Sequence, residues 1–160
     1  MSSLANAFRL ATSHDLSAIV QVVNAAFAVE GFLDGTRTDD ERADEMMQKG
    51  QFLLLEDPAG ELLASVYIEL RGERGYFGML AVDPPHQGKG FGVAAVKAAE
   101  DFCRSHGCKF MDLTVLSFRV GLPEFYRKLG YIETGTKAFV PTRPLKPGIE
   151  CHSIIMSKPL

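Results

Sequence analysis

The sequence predicts a mixed α/β fold, α+β in character, and three observations predict it. Short apolar runs bounded by turn residues mark strands in both halves of the chain. Between them, apolar residues recurring every three or four positions mark helices. At the centre, a strand, a glycine-rich loop and a helix follow one another without a break from Gly78 to Phe102. About seven strands and about four helices result, in one domain over residues 1–160, long enough for a full core.

Ala7 to Ala11 reads as the first strand. Thr12 and Asp15 form a variant capping box, with Asp in place of the usual Glu, and open a helix. Leu16, Ile19, Val20, Val23 and Phe27 give that helix one apolar face, and it ends before Gly31. Thr38 and Glu41 form a second capping box for a short helix that Gly50 stops. Gln51 to Glu56 is a strand, Asp57-Pro58-Ala59-Gly60 its turn, and Glu61 to Leu70 the next strand. Arg71 to Gly75 is a second turn. Tyr76 to Val82 then completes a three-stranded antiparallel meander.

Asp83-Pro84-Pro85 ends that strand, because two prolines remove two donors and fix two φ angles. Gln87-Gly88-Lys89-Gly90-Phe91-Gly92 follows. Next comes a helix with Phe91, Ala95, Ala98 and Phe102 on one face. Ser105-His106-Gly107 stops it, and His106 reads as a cap favoured by the helix dipole. Phe110 to Leu116 is a strand that should run parallel to 76–82, since it follows a strand–helix unit. Pro123 suits the first turn of a short helix over Leu122 to Leu129, which Gly130 ends. Tyr131 to Val140 and Cys151 to Ser157 are the last strands. The segment joining them, PTRPLKPG, is too stiff for a tight hairpin.

The central unit suits an anionic phosphate. Glycines let the backbone approach a ligand without a Cβ in the way. The first N–H groups of a helix lack intrahelical partners, and the helix dipole makes that end positive. Lys89 adds a full charge. A nucleotide P-loop is excluded, because no Gly-Lys is followed by Ser or Thr. A dinucleotide-binding fingerprint is a closer rival. Gly88-x-Gly90 is present, and Asp112 lies 20 residues after Gly92, where a ribose-binding acid would sit. Against it, Val93 stands where a third small residue belongs, and half the chain precedes the loop.

The hexapeptide Gln87 to Gly92 fits Gln/Arg-x-x-Gly-x-Gly/Ala without adjustment. Together with the strand GMLAVDP upstream and Phe125-Tyr126-Arg127-Lys128-Leu129-Gly130-Tyr131 downstream, it resembles the GNAT superfamily of N-acetyltransferases. The resemblance implies the element order βααβββαβαββ with a mixed central sheet. It also implies acetyl-CoA as cosubstrate and direct attack of a primary amine on the thioester in a ternary complex. The pyrophosphate would lie over Gln87, Gly88, Lys89, Gly90, Phe91, Gly92 and Val93. The pantetheine arm would pair with Leu80, Ala81 and Val82 like an added strand, in a gap beside strand 110–116. Tyr126 matches the family's tyrosine that protonates the departing thiolate, and a phenol of pKa ~10 is a protonated acid at neutral pH. Eleven residues before Gln87, where relatives often carry a glutamate base, stands Tyr76. The base is therefore unassigned, with Glu69, Glu73 and a water chain as alternatives. Arg127 and Lys128 are candidates for CoA phosphates, and Ser117 and Arg119 for contacts with CoA or the acceptor. The loops 29–38, with Glu30, Asp34 and Arg37, and 141–148 should choose the acceptor amine; the sequence does not choose among a polyamine, an amino acid, an antibiotic and a protein N-terminus, and a small molecule is the expectation.

The totals narrow the classes further. A net charge of −3 argues against a general nucleic-acid binder. No apolar run approaches the ~20 residues of a membrane span, and the first residues lack a signal-peptide pattern. Cys103, Cys108 and Cys151 neither pair off evenly nor match a zinc spacing, so no metal and a reducing, cytoplasmic setting are expected. Cys151-His152 does not read as a nucleophile and base, because neighbours in a strand face opposite ways. Ile154-Ile155-Met156 suits an internal strand or a homodimer contact equally. Two other functions compete: a non-catalytic acyl-CoA-binding module, and a dinucleotide-dependent oxidoreductase with Asp112 on the ribose.

Overall fold

Strand patterning and turn chemistry set the architecture. The structure, a computed structural model, describes residues 4–28, 37–116, 121–138 and 152–160. In chain order these form β1 (Arg9–Leu10), α1 (Leu16–Ala28), α2 (Asp40–Lys49), β2 (Gln51–Glu56), β3 (Leu62–Arg71) and β4 (Arg74–Val82). Then come α3 (Phe91–Ser105), β5 (Phe110–Leu116), α4 (Leu122–Lys128), β6 (Ile132–Ala138) and β7 (His152–Pro159). The strands make one sheet in the order β1-β2-β3-β4-β5-β7-β6. Neighbours are antiparallel except β4 and β5, which run parallel as the strand–helix–strand order requires. The predicted mixed fold is therefore the observed one.

Side chains alternate between the faces of the sheet. Met111, Leu113 and Val115 of β5 join Phe77, Met156 and the Ala95–Ala99–Cys103 face of α3 in one core. On the other face, Ile19, Val22, Val23 and Ala26 of α1 pack on Phe52, Leu54 and Tyr67. Helix α3 lies very close to β4. A Cβ at Gly75 would come within 2.5 Å of the Cys103 sulfur, so only glycine fits beneath the helix there. The α3 stop is as read: His106 Nδ1 lies 2.8 Å from the Phe102 carbonyl oxygen and its ring stacks on Phe102.

Four expectations need correction. β1 shortens to two residues, because Leu4–Ala7 winds into a 3₁₀ turn that buries Ala5. The cap of α2 is Asp39, whose carboxylate accepts from the Arg42 N–H at 2.9 Å. Thr38 is buried, held through its backbone by the Asn24 amide. The β3–β4 turn is tighter than expected, with only Gly72 and Glu73 between the paired Arg71 and Arg74. Finally, β7 runs to Pro159 and lies between β5 and β6, so Ile154-Ile155-Met156 is internal to the sheet. Residues 139–140 of the predicted strand 131–140 and residue Cys151 lie outside the described residues. No described helix is long and apolar enough to cross a membrane.

Candidate active site

The site begins with an irregularity in β4. Pairing with β3 runs in step from Arg71↔Arg74 to Tyr67↔Gly78, but the next pair is Ser65↔Ala81. One extra β4 residue is accommodated, which is a β-bulge. Phe77 and Met79 are two apart, yet Phe77 joins the core under α3 and Met79 the core under α1. Met79 takes a φ of +51°, a left-handed conformation costing a non-glycine residue about 1–2 kcal/mol. Burial of its side chain against α1 holds it there.

Beyond the bulge the sheet opens. The last β4–β5 pair is Tyr76↔Asp112. From there β5 stays paired with β7 as far as Leu116↔Ser153, and β4 with β3 as far as Val82↔Ala64. The two parallel strands thus separate while each keeps its outer partner. A cleft of about 550 Å³ lies at this end of β4. Leu80 and Val82 form its floor, Gln87, Gly88, Gly90, Phe91, Gly92 and Val93 its polar rim, and Leu122 and Phe125 of α4 its far wall.

The rim is fixed by local chemistry. The Gln87 side-chain amide donates to the Val82 carbonyl at 3.2 Å and closes the loop onto the strand end. Gly88 and Gly90 have φ of +80° and +85°. Gly90 caps α3, and its carbonyl accepts the first intrahelical hydrogen bond, from Ala94 N–H at 3.1 Å. The N–H groups of Phe91, Gly92 and Val93 precede that bond and belong to the electropositive helix end.

The structure thus gathers most of the predicted binding residues around one cleft. Ala81 and Lys89 are the exceptions among its lining. Ala81 buries its side chain under α1, and Lys89 is exposed on the loop. Ala26 and Phe27, at the end of α1, also line the cleft; Phe27 was read only as part of a core face, and Ala26 was assigned no role. Leu122 and Phe125 were missed too, although Phe125 adjoins Tyr126 in the motif that was recognised.

Tyr126 does not line the cleft. It is buried one position along α4 from Phe125, with its ring edge-on to Phe77 at 5.8 Å and to Tyr131 at 6.1 Å. Phe77 is the first β4 residue past the last β5 pair, so Tyr126 stands behind the point where the strands part. Tyr131 is the core aromatic expected, 1 % exposed, donating its hydroxyl to Glu100 at 2.7 Å.

The base candidates are committed elsewhere. Burial raises the Glu69 pKa, but the Tyr67 hydroxyl at 2.7 Å and Arg71 at 2.8 Å outweigh it and hold the carboxyl below its ordinary value. Glu73 is exposed in the β3–β4 turn and faces Lys109 at 3.4 Å. Arg127 turns to Glu133 on β6. Ser117, Arg119 and the loop residues 29–36 and 139–151 lie outside the described residues.

Asp112 is removed as a ribose ligand. It pairs with Tyr76, six β4 positions before Val82 and the glycine loop. Arg74 grips both its oxygens at 2.7 Å and Ser157 donates to it at 2.6 Å. The arginine, helped by Ser157 and opposed by burial, holds its carboxyl below the ordinary value.

Comparison with known proteins agrees with this geometry. The acetyltransferase (GNAT) family matches residues 18–131. Mycothiol acetyltransferase of Propionibacterium freudenreichii is 26% identical over 140 residues, covering 82% of this chain and 45% of that protein. The chain therefore spans less than half the length of this relative. The ribosomal-protein-S18-alanine N-acetyltransferase of Escherichia coli has a TM-score of 0.80 at 19% identity, covering 95% of this chain and 92% of the other. A phosphinothricin acetyltransferase of Sinorhizobium meliloti, solved with AcCoA, has a TM-score of 0.75 at 18% identity, covering 96% and 87%. These two likenesses establish a shared fold. The segment 18–131 holds the bulged strand, the glycine loop and the Phe125-Tyr126 motif, and it is on this match that the chain belongs to the acetyltransferase (GNAT) family.

Proposed function

We propose that residues 1–160 act as one domain that moves an acetyl group from acetyl-CoA to a primary amine of a small molecule, within a ternary complex. One observation carries the reading: a parallel strand pair opens beside a glycine-capped helix start. That arrangement suits a ligand with an amide-rich arm and a pyrophosphate. The free β4 edge can pair with the arm, and the N–H groups of Gly88 to Val93 can hold the phosphates. The relative from S. meliloti was solved with AcCoA, which supports the same cosubstrate.

When bound, acetyl-CoA supplies an activated thioester, so the amine nitrogen forms a bond to the carbonyl carbon as the carbon–sulfur bond breaks. Leu80, Val82 and Phe125 give this end of the cleft an apolar lining. On this reading the Tyr126 hydroxyl, behind the point where β4 and β5 part, gives its proton to the leaving sulfur through that gap and is reprotonated after the products leave. The proton lost by the amine leaves through water to bulk solvent rather than to Glu69, whose two oxygens already accept from the Tyr67 hydroxyl and Arg71. The products are the N-acetylated amine, CoA thiol and one proton.

The test has two stages. Acetyl-CoA at ~100 times its Kd should add about 2.7 kcal/mol to unfolding, and NAD should add nothing. An amine panel followed by thiol release then reads turnover, which Tyr126→Phe should slow about a hundredfold while CoA affinity holds. Absence of any acetyl-CoA shift overturns the proposal. A shift without turnover on any amine identifies a binding module instead. Unchanged turnover in Tyr126→Phe takes that residue out of the mechanism.

A further inference from the structure

A second pocket lies on the opposite side of the point where β4 and β5 part. Helix α1 packs over β3 and β4, and α2 over β2. No described helix covers the same face of β5, β7 and β6. A pocket of about 300 Å³ is set into this face, with Arg71, Tyr76, Thr114, Thr134 and Lys137 among its walls.

Tyr76 links the pocket to the reacting centre. It makes the last β4–β5 pair, and its ring leans along β4 over Gly78. A Cβ at Gly78 would lie 2.8 Å from the Tyr76 hydroxyl oxygen, so this glycine makes room for the ring. Met79 and the bulge follow directly. Met79 lies three positions after Tyr76, roughly 10 Å along the strand. A ligand whose amine and anionic group stand about that far apart would reach from the pocket to the strand opening.

The charges select one kind of ligand. Arg74 is taken up by Asp112 in a two-pronged pair at 2.7 Å. Arg71 bonds Glu69 at 2.8 Å through its Nε, and its guanidinium carbon lies 4.3 Å from the Tyr76 ring centroid. Lys137 has no acidic partner among the described residues. Among the described residues, three cations thus face two carboxylates, leaving one positive charge in a chain whose net charge is −3. The Thr114 hydroxyl lies beside it, while the Thr134 hydroxyl is turned to the Ile155 carbonyl and Ser157.

We infer that this pocket holds the carboxylate of the acceptor, so that the amine acetylated belongs to a small amino carboxylic acid. A single negative charge balances the single surplus cation, whereas a dianion such as a phosphate monoester would overshoot it. Tyr76 is then a specificity residue: its ring shapes the passage between the anion pocket and the nucleophilic nitrogen. The inference rests on the acetyltransferase reading for turnover but not for binding.

The experiment uses matched pairs, each an amino carboxylic acid beside its own carboxamide, over a series of chain lengths. The acid should exceed the amide in kcat/KM by about tenfold, the worth of one charge-assisted hydrogen bond, with the difference in KM. Lys137→Glu, an exposed edge-strand change, should erase that preference and leave the KM for acetyl-CoA unchanged. Lys137→Gln should fall between. Equal rates for acid and amide overturn the inference, as does a preference that survives Lys137→Glu. If acetyl-CoA fails to bind at all, the transferase reading falls. Ligand-observed NMR on the same pairs then still decides. Acid binding lost in Lys137→Glu upholds the pocket, and equal or absent binding of acid and amide removes it.

Discussion

Gly90→Ala separates the phosphate-loop reading from a merely structural one, provided that Gly72→Ala is measured beside it. Gly90 has a φ of +85° at the start of α3, and Gly72 a φ of +68° in the β3–β4 turn. At both sites an added Cβ meets nothing within 4 Å. Sterics therefore drop out, and only backbone strain remains. Placing an L-residue in the left-handed region costs about 1–2 kcal/mol. Both variants should lose that much stability in urea unfolding, a Tm drop of roughly 2–8 °C for a chain of this size. Only Gly90 belongs to the proposed anion site. If the variant loop relaxes to escape the strain, binding must restore it, and CoA affinity falls by the same free energy. The upper bound is about 2 kcal/mol, a weakening of roughly thirtyfold. Isothermal titration with CoA reads this directly. Gly72→Ala should bind CoA as the wild type does. A Gly90→Ala protein that loses stability yet binds as tightly as Gly72→Ala would refute the assignment of the loop.

Three further outcomes are expected. Glu100→Ala should destabilise the chain by about 3 kcal/mol in urea unfolding, because it strands the buried Tyr131 hydroxyl at 2.7 Å and takes the partner at 3.2 Å from the partly buried Lys158; a loss under 1 kcal/mol would mean that water replaces the carboxylate. The Cys103 thiol is fully buried, and burial, with Cys108 beside it, pushes it up to about 12. Iodoacetamide at pH 8 should therefore label Cys103 only after denaturant is added, as read by peptide mass mapping. Asp15 accepts from Arg9, and this bond, opposed by burial and helped by the Thr12 N–H, lowers its carboxyl to about 2. A lowered folded-state value means stability that is complete above about pH 4 and lost as pH falls through 2. Asp15→Asn should cost at most about 2 kcal/mol at pH 7, reduced by the exposure of Arg9, and match the wild type only below pH 2.

The parts of the site that were legible in the sequence are those built from neighbours in the chain. Asp83-Pro84-Pro85 ends a strand and Gly88 and Gly90 form a loop through local geometry alone. The parallel placement of β5 followed from a handedness rule. The bulge was not legible. Met79-Leu80-Ala81-Val82 is apolar throughout and buried on both faces, so no alternation records which side each residue takes. An inserted residue leaves no trace in such a run, and methionine carries no preference for a positive φ. The position of β7 between β5 and β6 was hidden for a different reason. It depends on pairing between residues about 40 apart, such as Thr114↔Ile155, which no local signal reports. Thr38 and Asp39 show the finer limit: both can cap a helix, and the buried bonds of Thr38 to Asn24 decide between them.

The bulge also explains how a sheet can be open in the middle and still be a sheet. Strands that part would normally leave two unpaired edges, open to pairing with another chain. Here the opening is confined to one side of each strand. β4 remains tied to β3 through Val82, and β5 to β7 through Leu116. The strain at Met79 is borne by the core under α1, while Leu80 and Phe77 pack under α3 and α4 on the other face. Neither strand relies on a ligand to keep its place. A strand-like cosubstrate would therefore enter a site that is already formed, and binding energy would not be diverted into folding. The same separation places the glycine rim at one mouth of the opening and the Tyr76–Lys137 pocket on the opposite face. On the proposed reading, donor and acceptor approach the thioester from the two sides of a single gap, and neither has to leave before the other arrives.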